Sequence, residues 1–169
     1  MQRYKVLTLF CIFWLVIATG SLSAQDNSEP ALHIDVPTTL EKANVVIDFG
    51  HAVYLGDLPF ALADVNLLAT DVHDWSAKGQ IIVVFHGDAA YLILNDETYD
   101  ANRHVSTGNP YKKILNSLMA RGVQLELCGA TAKGNRWENA NLLPGVKVNV
   151  NAMVRLTQLE QEGYTMIYE

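Results

Sequence analysis

The chain has 169 residues, half of them hydrophobic, and 12 basic against 18 acidic side chains give a formal charge of -6 at pH 7. That length suits one domain with a substantial core, whereas the acidic balance and scattered lysines and arginines exclude the clustered cations on which nucleic acids and anionic membrane surfaces depend. Two cysteines, Cys11 and Cys128, make no disulfide framework, so stability is expected from ordinary packing and from subunit contacts.

Residues 1–24 place Arg3 and Lys5 ahead of the apolar stretch Val6 to Ala18 and end in Gly20-Ser21-Leu22-Ser23-Ala24, the three-part layout of a secretory signal. The apolar stretch is short for a span of about 20 residues. Cleavage near Ser23 or Ala24 is expected, with a periplasmic or secreted product and no membrane attachment afterwards. An uncleaved anchor is the alternative, because Leu22 is bulky for its place before the cut. Cleavage removes Cys11, Arg3 and Lys5, which leaves Cys128 as the sole thiol and moves the formal charge from -6 to -8.

Residues 25–42, with Pro30 and Pro37 and no sustained period, read as a lead-in arm. The domain takes up residues 43–169. Val45 to Phe49 is a nearly unbroken β-branched run, as in a strand buried on both faces. Asp57 is placed to cap a helix with Pro59 in its first turn, and Leu58, Leu62, Val65, Leu68 and Val72 recur at helical spacing. Ile81 to Phe85 is a second buried strand, and Ala89 to Leu94 fits strand or helix equally. A further helix has Asn109 as cap, Pro110 at its first position, a stripe of Ile114, Leu115, Leu118 and Met119, and Gly122 beyond its end. Val123 to Cys128 is a strand leading through Gly129 into a short helix. A last helix runs from about Asn151 to Gly163, and Tyr164 to Tyr168 is the closing strand.

Strands alternating with helices define an α/β fold with a parallel sheet between helical layers, since parallel neighbours need crossover connections. Ligands of such sheets sit beyond the carboxyl ends of the strands. That rule gathers Gly50-His51, His86-Gly87-Asp88 and Cys128-Gly129 on one rim.

Cys128 has two readings, a small buried hydrophobe or a reactive thiol. The helix that follows would offer its first amides to the sulfur, but a helix terminus contributes only about 1 kcal/mol. A populated thiolate would therefore need a cation as well, and Lys133, Arg136 and a protonated His86 are the candidates. His86 reads either as a loop histidine bonded to a carbonyl or as the proton carrier for the sulfur. Asp88 either orients His86 or caps the segment it begins. Gly129, Lys133 and Asp88 are the expected substrate-side residues. His51, His86 and Cys128 offer a zinc or copper ligand set as an alternative, though nothing in their spacing marks a metal site, and no metal or cofactor is expected. Cys-x-x-Cys, glycine-rich phosphate loops and a nucleophilic serine elbow are all missing from the sequence.

Val83-Val84-Phe85-His86-Gly87-Asp88-Ala89, the helix opening at Asn109-Pro110, Gly122-Val123 leading into Leu125-Glu126-Leu127-Cys128-Gly129, and Leu143-Pro144-Gly145-Val146 before the last helix together resemble the DsrE/DsrF-like sulfur-relay family. The resemblance implies a three-layer α/β/α sandwich with five mostly parallel strands, assembled as a homotrimer or homohexamer. It implies that Cys128 accepts sulfane sulfur as a persulfide and passes it to a partner thiol, with sulfur donor and acceptor proteins or small persulfides as partners. The expected function is an exported sulfur carrier or sulfurtransferase. A non-catalytic binding or assembly module of the same fold, with Cys128 structural, is the alternative.

Overall fold

The computed structural model describes residues 32–169, so the expected signal segment and the start of the lead-in arm lie outside the described residues. The chain divides into a unit ending at Pro37, whose described residues form no helix or strand, and a compact unit Thr38–Glu169.

Five of the apolar runs become parallel strands of one sheet. In chain order the elements are β1 (Val45–Phe49), a small hairpin of β2 (Tyr54–Leu55) and β3 (Leu58–Pro59), α1 (Phe60–Asp74), β4 (Ile81–Phe85), a 3-10 helix (Gly87–Ile93), α2 (Asp96–Arg103) and α3 (Lys112–Ala120). There follow β5 (Gln124–Cys128), α4 (Gly129–Asn135), a 3-10 turn (Asn139–Asn141), β6 (Lys147–Asn149), α5 (Ala152–Gln161) and β7 (Thr165–Tyr168). The sheet order is β6-β5-β4-β1-β7, with every neighbouring pair parallel. Helices cover both faces, which makes a three-layer α/β/α sandwich.

Strand alternation sorts the side chains into two cores. Val45, Ile47, Phe49, Val83, Phe85, Leu125 and Leu127 face one way and pack with Leu62 and Val65 of α1 and Leu115 and Leu118 of α3. Val46, Ile82, Val84 and Cys128 face the other way, where Ala152, Leu156 and Leu159 of α5 close over them. Polar residues interrupt this second face at Asp48, Glu126 and Cys128, and it carries the chemistry described below.

Several local expectations are revised by the fold. Asp57 sits in the β2–β3 hairpin beside Gly56, whose φ is +62°, and caps nothing; α1 opens one residue after Pro59, which has no side-chain oxygen to offer. Asn109 is buried, accepts from Tyr111 N–H at 2.9 Å and donates to the carbonyls of Leu92 and Leu94 at 2.7 Å each. It thus clamps a turn, and the regular helix starts at Lys112 rather than Pro110. Ala89 to Leu94 resolves as the end of a 3-10 helix. The last helix agrees with its signals: Asn151 accepts from Val154 N–H at 2.9 Å, and Gly163 has a φ of +83°.

Candidate functional site

Cys128 ends β5, and the period of two turns it toward α5 together with Gln124 and Glu126, while Leu125 and Leu127 fill the opposite core. In the single chain it is 5 % exposed. Its Sγ accepts a hydrogen bond from Ala152 N–H at 3.3 Å, at the first turn of α5. Burial works against the thiolate, but hydrogen bonds from the Thr131 amide and hydroxyl and from the Ala152 and Ala130 amides outweigh it, so the thiol lies below its ordinary value. The donors are neutral amides and a hydroxyl, not the cation expected from the sequence. Two successive helix starts, α4 and α5, converge on one sulfur.

That convergence depends on Gly129. A Cβ there would lie 2.9 Å from the carbonyl oxygen of Val150 and closer still to that of Asn149, so only glycine lets α4 begin against the end of β6. Thr131 links the neighbouring strand end to the same point, since its Oγ1 accepts from Gly87 N–H at 3.3 Å.

His86 follows β4. Phe85 pairs with Leu127 in the sheet register, so His86 and Cys128 occupy the next positions of adjacent strands, and adjacent strands lie about 4.8 Å apart. Both side chains belong to the α5 face: Phe85 and Leu127 point into the opposite core, and His86 Nε2 lies 2.6 Å from Oδ1 of Asp48, a residue of that face on β1. Asp48, not Asp88, orients the imidazole. The ring lies over Gly50, where a Cβ would come within 2.7 Å of His86 Cε1. Sequence reasoning passed over Asp48, although a single acid inside Val-Val-Ile-Asp-Phe was its signal, since a charge in a buried strand needs a partner.

The remaining candidates lie further out. Asp88 neither caps the 3-10 helix nor touches His86; its carboxylate is exposed and stands 3.9 Å from Nδ1 of His51, also exposed. It instead lines a polar hollow of about 380 Å³ together with Gly87, Tyr91, Arg103, Thr131 and Trp137. Lys133 and Arg136 are exposed at the far end of α4. His51, turned to Asp88, does not complete a metal site: among the described residues no three histidine, cysteine, aspartate or glutamate side chains are grouped to hold a metal ion.

Beside the thiol, two residues earlier on β5, lies Glu126, which is 3 % exposed. It accepts from Arg155 of α5 through Nε at 3.1 and 3.0 Å and through a terminal nitrogen at 2.9 Å, from Gln124 at 2.6 Å and from Asn149 at 3.0 Å. Burial pushes its carboxyl up, but these donors, Arg155 first, hold it below the usual carboxylate range. This buried pair pins α5 to β5 directly beside Cys128.

Residues 44–168 match the family model described as the DsrE/DsrF-like family. The chain belongs to the DsrE/DsrF-like family. Among solved structures, this member is similar to MTH1491, a protein of unknown function from Methanobacterium thermoautotrophicum, at 19% identity and a TM-score of 0.55 over 76% of this chain and 100% of that one. It is likewise similar to the ychN protein of E. coli, at 19% identity and a TM-score of 0.55 over 75% of this chain and 99% of that one. At such identities the likeness concerns the fold. No curated protein matches this DsrE/DsrF-like chain.

Proposed function

We propose that this DsrE/DsrF-like protein is an exported sulfur carrier in which Cys128 accepts sulfane sulfur as a persulfide and yields it to a partner thiol. Family membership supplies the association with sulfur relay, and the observation that carries the assignment to Cys128 is the set of N–H and O–H donors trained on its Sγ. Sulfur transfer runs through the thiolate, and those donors stabilise the anion in place of water. In the proposed reaction the thiolate attacks the sulfane sulfur of a donor persulfide or polysulfide, the donor S–S bond breaks, and the leaving sulfur departs with the bonding pair. A partner thiolate then attacks the outer sulfur of Cys128-S-SH and regenerates the thiol. Gly129 keeps the donors close, because no side chain fits between the start of α4 and the end of β6.

The near-burial of Cys128 among Val46, Ile82, Val84 and Leu159 favours a second reading, an assembly module in which the thiol only packs. Intact mass spectrometry after incubation with polysulfide separates the two. The carrier reading expects added sulfur on the wild type and none at this position in Cys128→Ser; equal mass gains for the two proteins leave only the packing role.

A further inference from the structure

We infer that the polar hollow walled by Asp88, Arg103 and Thr131 binds a small persulfide of the amino-acid type, bearing both a carboxylate and an ammonium, and presents it to Cys128; the inference rests on the carrier reading above. At about 380 Å³ the hollow is near the small end of ligand sites, which suits an amino acid or a short peptide. Asp88 and Arg103 line it with opposite charges, yet the two do not meet. Among the described residues Arg103 belongs to no ion pair, and Asp88 only to the loose one with His51 at 3.9 Å. Arg103 is nevertheless held in place: its guanidinium carbon lies 4.3 Å from the centre of the Tyr91 ring, a cation–π contact that fixes the plane of the group and leaves its N–H edge for a ligand. Tyr91 is no counter-ion, because burial and a hydrogen bond with Tyr54 push its phenol up to about 12 and keep it neutral.

A ligand with both signs answers this arrangement. Its carboxylate accepts the parallel N–H bonds of the guanidinium, its ammonium donates to the Asp88 carboxylate, and the rings of Trp137 and Tyr91 flank the methylene and sulfur between them. Thr131 joins the hollow to the thiol, since it lines the one and its amide and hydroxyl donate to the Sγ of the other. A persulfide seated here is therefore one side chain away from Cys128. The thiol loses its proton to water, and the thiolate attacks the outer sulfur of the donor, forming one S–S bond as the donor S–S bond breaks. The donor thiolate leaves with the bonding pair and takes up a proton from water. Sulfur, charge and electrons balance with no outside oxidant or reductant.

The test measures binding and loading separately on the full chain. S-methylcysteine, an inert analogue of cysteine persulfide, should bind the wild type in an NMR titration, and Arg103→Gln and Asp88→Asn should each weaken it about tenfold. Both side chains are exposed, so both variants should fold. Truncated probes separate the two charges: methylthiopropanoate, which lacks the ammonium, should respond to Arg103→Gln alone, and methylthioethylamine, which lacks the carboxylate, to Asp88→Asn alone. Loading of Cys128 from cysteine persulfide well below saturation, read by intact mass, should slow about tenfold in Arg103→Gln, while loading from cysteamine persulfide, which has no carboxylate, should match the wild type. S-methylcysteine binding that is absent or ignores both substitutions overturns the inference, as does equal loading of wild type and Arg103→Gln from cysteine persulfide. If the wild type gains no more sulfur than Cys128→Ser although S-methylcysteine binds through Arg103 and Asp88, the carrier reading falls, the donor role falls with it, and the amino-acid site stands. If Cys128 loads but neither substitution changes binding or loading, only this inference fails.

Discussion

Replacing Arg155 by methionine tests the buried pair that pins α5 beside the thiol. In the native protein Glu126 is nearly out of contact with water and receives three hydrogen bonds from Arg155. Removing the cation leaves a buried carboxylate with only Gln124 and Asn149 as donors, and an uncompensated buried charge costs about 3–5 kcal/mol. Against a total stability of about 5–15 kcal/mol this is a large fraction, and with a urea slope of about 2 kcal/mol/M it moves the unfolding midpoint by about 2 M. The pH dependence gives a sharper check. Because the folded Glu126 carboxyl is held low, its contribution is present above the unfolded value of about 4.3 and is lost as the pH falls through the folded value. Without Arg155 the burial effect wins and raises the carboxyl instead, so the variant is penalised most at neutral pH and recovers as acid protonates Glu126. Urea unfolding at pH 7 and at steps down to pH 4 should therefore show the gap between wild type and Arg155→Met closing on acidification, and Glu126→Gln should restore part of the stability of Arg155→Met at pH 7. A loss below about 1 kcal/mol, or a gap that stays constant with pH, would refute this account of the pair.

The same elements predict the behaviour of the thiol. Alkylation of Cys128 with iodoacetamide should titrate with a midpoint below that of an ordinary free cysteine measured alongside; a midpoint above it would mean that burial prevails over the donors. Thr131→Val removes one of those donors, so its alkylation midpoint should rise and its rate at pH 7 should fall about three- to tenfold. Gly129→Ala should lower the thermal midpoint sharply and leave little folded protein, because the new methyl group meets backbone carbonyls that cannot turn aside; a stability within about 0.5 kcal/mol of wild type would contradict the close crossing of α4 and β6. Asn151→Ala should cost about 1 kcal/mol through loss of the α5 cap, read from chemical denaturation.

Much of the frame was legible in the amino-acid order. Val45 to Phe49 and Ile81 to Phe85 announce buried parallel strands because β-branched runs without polar alternation suit a sheet covered on both faces. Asn151 and Gly163 mark the last helix through the backbone geometry that only such residues supply cheaply. The short elements escaped: Lys147–Asn149 is a three-residue edge strand with too few positions to show a period, and Asp96–Arg103 has only Thr98 and Tyr99 buried on an otherwise polar helix. In the hairpin, Leu58–Pro59 was absorbed into the predicted start of α1, and Tyr54–Leu55 is too short to show a period.

Local order also put Cys128 at a strand end before a helix, which makes it a candidate without saying what surrounds it. Its surroundings follow from strand order and register. Asp48 meets His86 because β1 lies beside β4, and His86 neighbours Cys128 because Phe85 pairs with Leu127. Ala152 reaches the sulfur because α5 packs back over the face that β5 presents. Periodicity records whether a side chain is buried, a property of its own element, whereas the partner it meets is chosen by distant chain segments whose arrangement leaves no local pattern to read.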